Sequence, residues 1–184
     1  MKGAGSMDEE HKEATEGITF RVPSSSLRQL RKESKRKQVS LNTLVNQIFR
    51  EHLDWHTSAA QAGLLQVPRS SLSRLVDKLT EEQLSELAIT MAEKDFVDVG
   101  LLLRGEFTIP SFINIAENWS RISSFPYKHE VNDDLHKFII QHDMGRKYSF
   151  LIKEFYRHIL EEMFERKADF ITTDNTVMLK FAEK

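Results

Sequence analysis

The stretch Ile18-Thr19-Phe20-Arg21-Val22-Pro23 decides how the chain is read. Apolar and polar side chains alternate from Ile18 to Val22, the period of a strand with one buried face, and Pro23 ends it. Beyond Pro23 the spacing turns helical. Ser24-Ser25-Ser26 offer N-cap hydroxyls for a helix over Leu27 to Lys37, and Val39-Ser40 forms a break. Ser40 then caps a second helix ending near Trp55. In it Leu41, Leu44, Val45, Ile48, Phe49 and Leu53 recur at the helical period and make one broad apolar face. One strand and two helices over residues 18–56 cannot bury these faces alone, and a lone strand leaves its backbone edge open. Antiparallel pairing of two copies through the strand solves both problems. Ile18, Phe20 and Val22 then join Leu41, Leu44, Val45 and Ile48 of both chains in a shared dimer core, so dimerisation is expected to be part of folding.

Charge points to a partner for this segment. Over the 184 residues the formal net charge is −2, but its distribution is uneven. Residues 18–56 carry eight bases (Arg21, Arg28, Arg31, Lys32, Lys35, Arg36, Lys37, Arg50) against Glu33, Glu51 and Asp54, a net of +5. Residues 1–17 are net −3, with two bases against five acids, and residues 57–184 are net −4, with 16 bases against 20 acids. A basic segment in an otherwise acidic chain is the footprint expected of a polyanion partner.

The order strand, helix, four-residue break, helix resembles the ribbon-helix-helix family of the Arc and MetJ type. The likeness is carried by Ile18 to Pro23, by the cap serines with Leu27 and Leu30, and by Val39-Ser40-Leu41-Asn42-Thr43-Leu44-Val45-Asn46-Gln47-Ile48. It covers about a fifth of the chain. It implies an obligate homodimer whose two-stranded ribbon enters the major groove of double-stranded DNA. Alternation points Thr19 and Arg21 away from the core, so these two are the expected base contacts, Arg21 by a bidentate bond to guanine. In the family the start of the second helix clamps a phosphate. Ser40, Asn42 and Thr43 are carried over in that role, because the first-turn N–H groups and the helix dipole favour an anion there. Arg28 and Lys35 are expected phosphate contacts, and Arg31, Lys32, Arg36 and Lys37 add attraction that is independent of base sequence. One residue departs from the family pattern. Gln38 stands where the family often has glycine with positive φ, at a cost of roughly 1 kcal/mol.

The fold class expected is α+β: a β-α-α ribbon-helix-helix dimerisation module at 18–56, then a mixed helical and ββαββ C-terminal domain. Residues 1–17 read as a disordered tail or appended lead-in, residues 57–66 as a linker rich in Ala, Ser, Gln and Gly, and 67–184 as a regulatory or oligomerisation domain. Within it helices are expected over Ser70–Leu79, Glu81–Lys94, Asp95–Gly105 and Pro110–Ser124, the second opened by a Thr80-Glu81-Glu82-Gln83 capping box. Tyr127–Val131 and Leu135–Gln141 read as strands about Asn132-Asp133-Asp134. Met144–Arg166 reads as a long amphipathic helix capped by Asp143, and Ala168–Thr173 and Val177–Phe181 as a hairpin. Val67-Pro68-Arg69-Ser70-Ser71-Leu72 echoes Val22-Pro23-Ser24-Ser25-Ser26-Leu27. The echo is read as a shared way of starting a helix, because no alternating strand precedes Val67.

The remaining chemistry is sparse. With no cysteine, disulfides and thiolate sites are excluded, and no apolar run reaches the roughly 20 residues of a membrane span. His129, His136, His142 and His158, with Asp143, admit a metal site across the first hairpin, but no compact ligand spacing appears and scattered surface histidines are expected. Phe112, Trp119, Phe125, Tyr127, Phe155 and Tyr156 read as core rather than a ligand pocket. The expectation is a cytoplasmic, non-enzymatic, sequence-specific transcription regulator, a repressor in the simplest mechanism, with no cofactor and no metal. An antitoxin-type autoregulator whose C-terminal part binds a protein, and a ligand- or metal-responsive sensor, are the alternatives.

Overall fold

The computed structural model describes residues 16–57 and 65–183. The tail read over 1–17 thus lies outside the described residues except for Glu16 and Gly17, and the linker over 57–66 except for Thr57, Leu65 and Gln66. The chain divides into two compact units, 1–48 and 49–184. The division falls at Ile48, inside a helix.

In the N-terminal unit, α1 spans Ser24–Arg36 and begins directly after Pro23. The sequence reading placed the three serines at the cap. Instead Pro23 is the N-cap residue, no side-chain hydrogen bond caps the helix, and the serines form its first turn. The fixed φ of proline, −55° here, already sets the chain for helix entry. The helix ends as expected, on a left-handed residue: Gln38 has φ 55°. Its N–H donates to the Lys35 carbonyl at 3.1 Å and the Val39 N–H donates to the Ser34 carbonyl at 3.0 Å. These are the two bonds of a Schellman motif, which satisfy carbonyls the helix leaves open. Helix α2, Leu41–Glu51, comes next and runs on as a π-helical turn over His52–His56. Ser40 caps it, Oγ accepting from the Thr43 N–H at 2.9 Å.

The burial of the apolar face separates the two ends of this unit. Leu44 is 1% exposed, and Leu41 and Val45 are half-buried. Ile48 is 40% exposed, and Ile18, Phe20 and Val22 are 72%, 54% and 47% exposed. Residues 16–23 carry no regular secondary structure, so the expected strand Ile18–Val22 is not present within one chain. A strand is maintained by a ladder to a neighbouring strand, and all strands among the described residues lie in the C-terminal unit.

The C-terminal unit is α+β. Four strands, β1 (Tyr127–Asn132), β2 (Leu135–Gln141), β3 (Ala168–Thr172) and β4 (Thr176–Ala182), form one antiparallel sheet in the order β1-β2-β4-β3. Preceding the sheet are α3 (Arg69–Val76), α4 (Glu81–Thr90, continued by a π-helical turn over Met91–Phe96), α5 (Val97–Arg104) and α6 (Ile109–Ile122). Between the hairpins runs α7 (Arg146–Arg157), continued as a π-helical turn over His158–Met163. The ββαββ order matches the sequence expectation closely.

One core holds this unit. Alternation turns Phe138 and Ile140 of β2 and Val177, Leu179 and Phe181 of β4 to one face, in register: Phe138 opposite Leu179, Ile140 opposite Val177. Leu151, Ile152, Phe155, Tyr156, Ile159 and Leu160 of α7 and its π-helical turn share that core with Phe112 and Ala116 of α6 and Leu84 and Ala88 of α4. Full burial of each large side chain contributes roughly 1.5–3 kcal/mol. The six aromatic residues read as core are core, Trp119 and Tyr127 at its margin. The capping box at Thr80 forms, with Gln83 N–H donating to Thr80 Oγ1 at 3.2 Å and Thr80 N–H donating to Gln83 Oε1 at 2.9 Å. The expected cap of α7 is corrected. Gly145, φ 86°, holds the N-cap position, while Asp143 accepts from Gln141 Nε2 at 3.2 Å. Only glycine takes the φ at 145 without strain.

Candidate nucleic-acid interface

The residues read as a DNA-facing surface sit on the N-terminal unit. Thr19 and Arg21 are exposed, and so are Arg28, Arg31, Lys32, Lys35 and Arg36 along α1. Helical spacing puts Arg28, Arg31, Lys32 and Lys35 on one face. Among the described residues Lys37 is the one cation of this set held in an ion pair, to Glu33 at 2.8 Å. The Lys37 ammonium, by its hydrogen bond and then its charge, holds the Glu33 carboxyl below the usual carboxylate range. Arg21, Arg28, Arg31, Lys32, Lys35 and Arg36 form no salt bridge among the described residues. Cations that are not internally neutralised remain available to a polyanion.

The start of α2 differs in detail from the sequence expectation. Ser40 Oγ takes the Thr43 N–H and lies 2.7 Å from Thr43 Oγ1, so both hydroxyls are engaged in the cap. Of the three first-turn N–H groups counted from sequence, Leu41 and Asn42 keep theirs open among the described residues. Asn42 and Thr43 are exposed. An anion here meets two backbone donors and the positive end of the dipole, a contribution of about 0.3–1 kcal/mol. The dimer-core set is split within one chain. Leu41, Leu44 and Val45 are covered or half-covered, while Ile18, Phe20, Val22 and Ile48 face outward.

The histidines correct the surface reading. His136 and His142 do not come together in one site, and no group of three or more His, Cys, Asp or Glu fit to hold a metal occurs among the described residues. His142 is buried. Its Nδ1 accepts from the Met144 N–H at 3.0 Å, and its Nε2 lies 2.8 Å from Ser149 Oγ, which donates to the Thr173 carbonyl at 2.7 Å. Burial pushes its pKa down to about 4, against a smaller upward pull from the Asp143 carboxylate. His158 Nε2 lies 3.0 Å from Glu93 Oε1. His129 and His136 contact one another and two glutamates, an arrangement the sequence did not reveal. Its available signal was strand alternation, which puts the two rings on one sheet face across the Asn132–Asp134 turn.

Room for a small molecule is limited in the core. The aromatic cluster leaves a cavity of about 10 Å³ lined by Phe112, Ala116, Phe138, Tyr156, Leu179 and Phe181, the space of a single water. An open depression of about 540 Å³ is lined by Glu81, Arg146, Lys147, Phe150, Lys153 and Thr172. No described helix is long and apolar enough to cross a membrane. No protein-family model matches the chain, and no curated protein matches it.

Proposed function

We propose that the chain is a cytoplasmic, sequence-specific DNA-binding transcription regulator of the ribbon-helix-helix type, a repressor that acts by occupying an operator. The observation that carries this reading is the pairing of two properties in residues 18–22. Ile18, Phe20 and Val22 are exposed on one alternation and Thr19 and Arg21 are exposed on the other. Antiparallel pairing of two chains through this segment covers the first set and presents two threonines and two arginines on one surface. A two-stranded ribbon fits the major groove. The cations of α1 supply attraction to phosphate, and Ser40, Asn42 and Thr43 position the protein without reading sequence. The left-handed Gln38 and the capped α2 support the same reading, because they set the helix-turn-helix that such a ribbon needs. The folded core of residues 67–183 favours a regulator with a structured C-terminal domain over an antitoxin whose tail orders only on its toxin.

Two measurements test this on the full chain. Sedimentation across a concentration series is expected to show a dimer, and Ile18→Lys combined with Val22→Lys to give monomer. Selection of bound sequences from random DNA is expected to return a motif with two related half-sites, which Arg21→Ala flattens by about 1–3 kcal/mol of discrimination per contact. A folded monomer that binds no DNA, or an Arg21→Ala protein with the wild-type motif, overturns the proposal.

A further inference from the structure

Four side chains in the C-terminal unit form one continuous hydrogen-bonded chain. Glu117 Oε1, from α6, lies 2.8 Å from His129 Nδ1 on β1. His129 Nε2 lies 2.9 Å from His136 Nδ1 on β2, and His136 Nε2 lies 3.2 Å from Glu183 Oε2, just past β4. The two imidazoles are stacked with centroids 5.2 Å apart. Phe138 lies against the first ring and Phe181 stacks on the second. The His129 and His136 side chains are 11% and 7% exposed.

Counting protons shows what this geometry requires. Two ionised carboxylates bring none, and two neutral imidazoles bring two, yet three hydrogen bonds need three. An N–H turned to each carboxylate leaves lone pairs facing each other across 2.9 Å, which is repulsive. Turning one N–H inward leaves one carboxylate facing a lone pair. One added proton completes all three bonds whichever ring carries it. We infer that His129 and His136 act as a single proton-holding unit, a pH-responsive latch that fastens Glu183 at the end of β4 to the β1–β2 hairpin and α6.

The surroundings fix which bond opens. From α6 the pair faces Glu117, with Arg121 one turn on committed to Asn118 and the Tyr127 hydroxyl. From β4 it faces Glu183, whose N–H donates to the Asp134 carbonyl in the β1–β2 turn at 2.8 Å and whose carbonyl accepts from Arg166 Nε at 3.2 Å. Lys128, Glu130 and Lys137 sit on the opposite face of the sheet and pair with one another. Glu183 makes the longer bond and is 41% exposed against 30% for Glu117. On loss of the shared proton Glu183 therefore turns to water, while His129 stays bonded to Glu117. This device lies wholly in the C-terminal unit and stands apart from the DNA reading.

The test is a pH titration of the histidine ring nitrogens by long-range proton–nitrogen NMR on the full chain, in buffer with chelator. Both rings are expected to change in one common step that takes up one proton in total, centred on His129 Nε2 and His136 Nδ1. Glu183→Gln removes a charge that favours the added proton and is expected to move the step to lower pH by roughly half a unit to one unit; Glu117→Gln acts in the same direction. His136→Gln is expected to leave His129 titrating alone. Should that variant fail to fold, the two glutamate variants decide the matter. Separate uptake of two protons, no titration while the protein stays folded, or, in a parallel titration without chelator, a step that responds to added zinc overturns the inference, the last because the cation between the rings is then a metal.

Discussion

Two helix pairs in this chain begin alike and end in different circumstances. α1 and α2 start after Val22-Pro23, and α3 and α4 start after Val67-Pro68. Each pair is broken by four residues, Lys37 to Ser40 and Asp77 to Thr80, and each second helix is capped by a hydroxyl accepting from the N–H three residues on. Four residues past each cap stands a fully covered leucine, Leu44 or Leu84. The turns, however, are built differently. The first passes through left-handed Gln38. The second uses short-range bonds, Lys78 N–H to the Leu75 carbonyl and Leu79 N–H to the Val76 carbonyl, both at 3.1 Å, with no left-handed residue. Burial differs as well. Val76, Leu84 and Ala88 belong to the core of the C-terminal unit, whereas Ile18, Phe20, Val22 and Ile48 of the first unit stay exposed. A shared helix start does not make a shared module. What each pair becomes depends on whether the same chain supplies a surface for its apolar face.

Leu84→Ala and Leu44→Ala test that contrast at its largest scale. Each deletes a covered side chain and is expected to destabilise by about 2–5 kcal/mol. In denaturant titrations the Leu84→Ala midpoint is expected to hold across protein concentrations. For Leu44→Ala it is expected to rise with concentration, because the proposed ribbon dimer would share that core between chains. A concentration-independent Leu44→Ala midpoint breaks the comparison.

The acid response of the C-terminal unit comes next in size. His142 is held near pKa 4 in the fold against an ordinary 6.5. The unfolded chain therefore binds the extra proton first, and stability falls as pH drops from about 6.5 to about 4, by up to about 3 kcal/mol. His142→Gln is expected to be less stable at neutral pH yet to lose that slope, as chemical denaturation at several pH values will show.

Turn chemistry gives a smaller effect of opposite sign at the two breaks. Gln38→Gly relieves a left-handed side chain and is expected to stabilise by about 1 kcal/mol. Lys78→Gly only adds freedom to the unfolded chain and is expected to destabilise by about 0.5–1 kcal/mol. Thermal melts of the two variants sharpen the distinction. The smallest effect is that of Lys35→Ala, which is expected to weaken DNA binding evenly across sequences and to lower the salt slope by about one unit.

The local pattern carried most of the element order. Period-2 and period-3.6 spacing located the ββαββ unit and the helices before it, because these depend on residues within a few positions of one another; the left-handed residue at Gln38 was implied by the family resemblance instead. The expectations that differ from the structure do so for two reasons, one local and one of distance in sequence. Asp143 looked like a cap by composition, but Gly145 takes the position through a backbone angle no pattern encodes. The rings of His129 and His136 are partnered by Glu117 and Glu183, 12 and 47 residues away.

By itself, then, the order of amino acids determined where the helices and the four C-terminal strands form and how the charge is distributed, but not a strand at 18–22. Tertiary structure alone decided that the C-terminal apolar faces close into one core and that four titratable groups share a hydrogen-bonded chain. It also decided that Ile18, Phe20 and Val22 stay exposed. The reason is range: helix and strand periods are set by neighbours along the backbone, while burial and proton sharing are set by whatever the fold brings alongside.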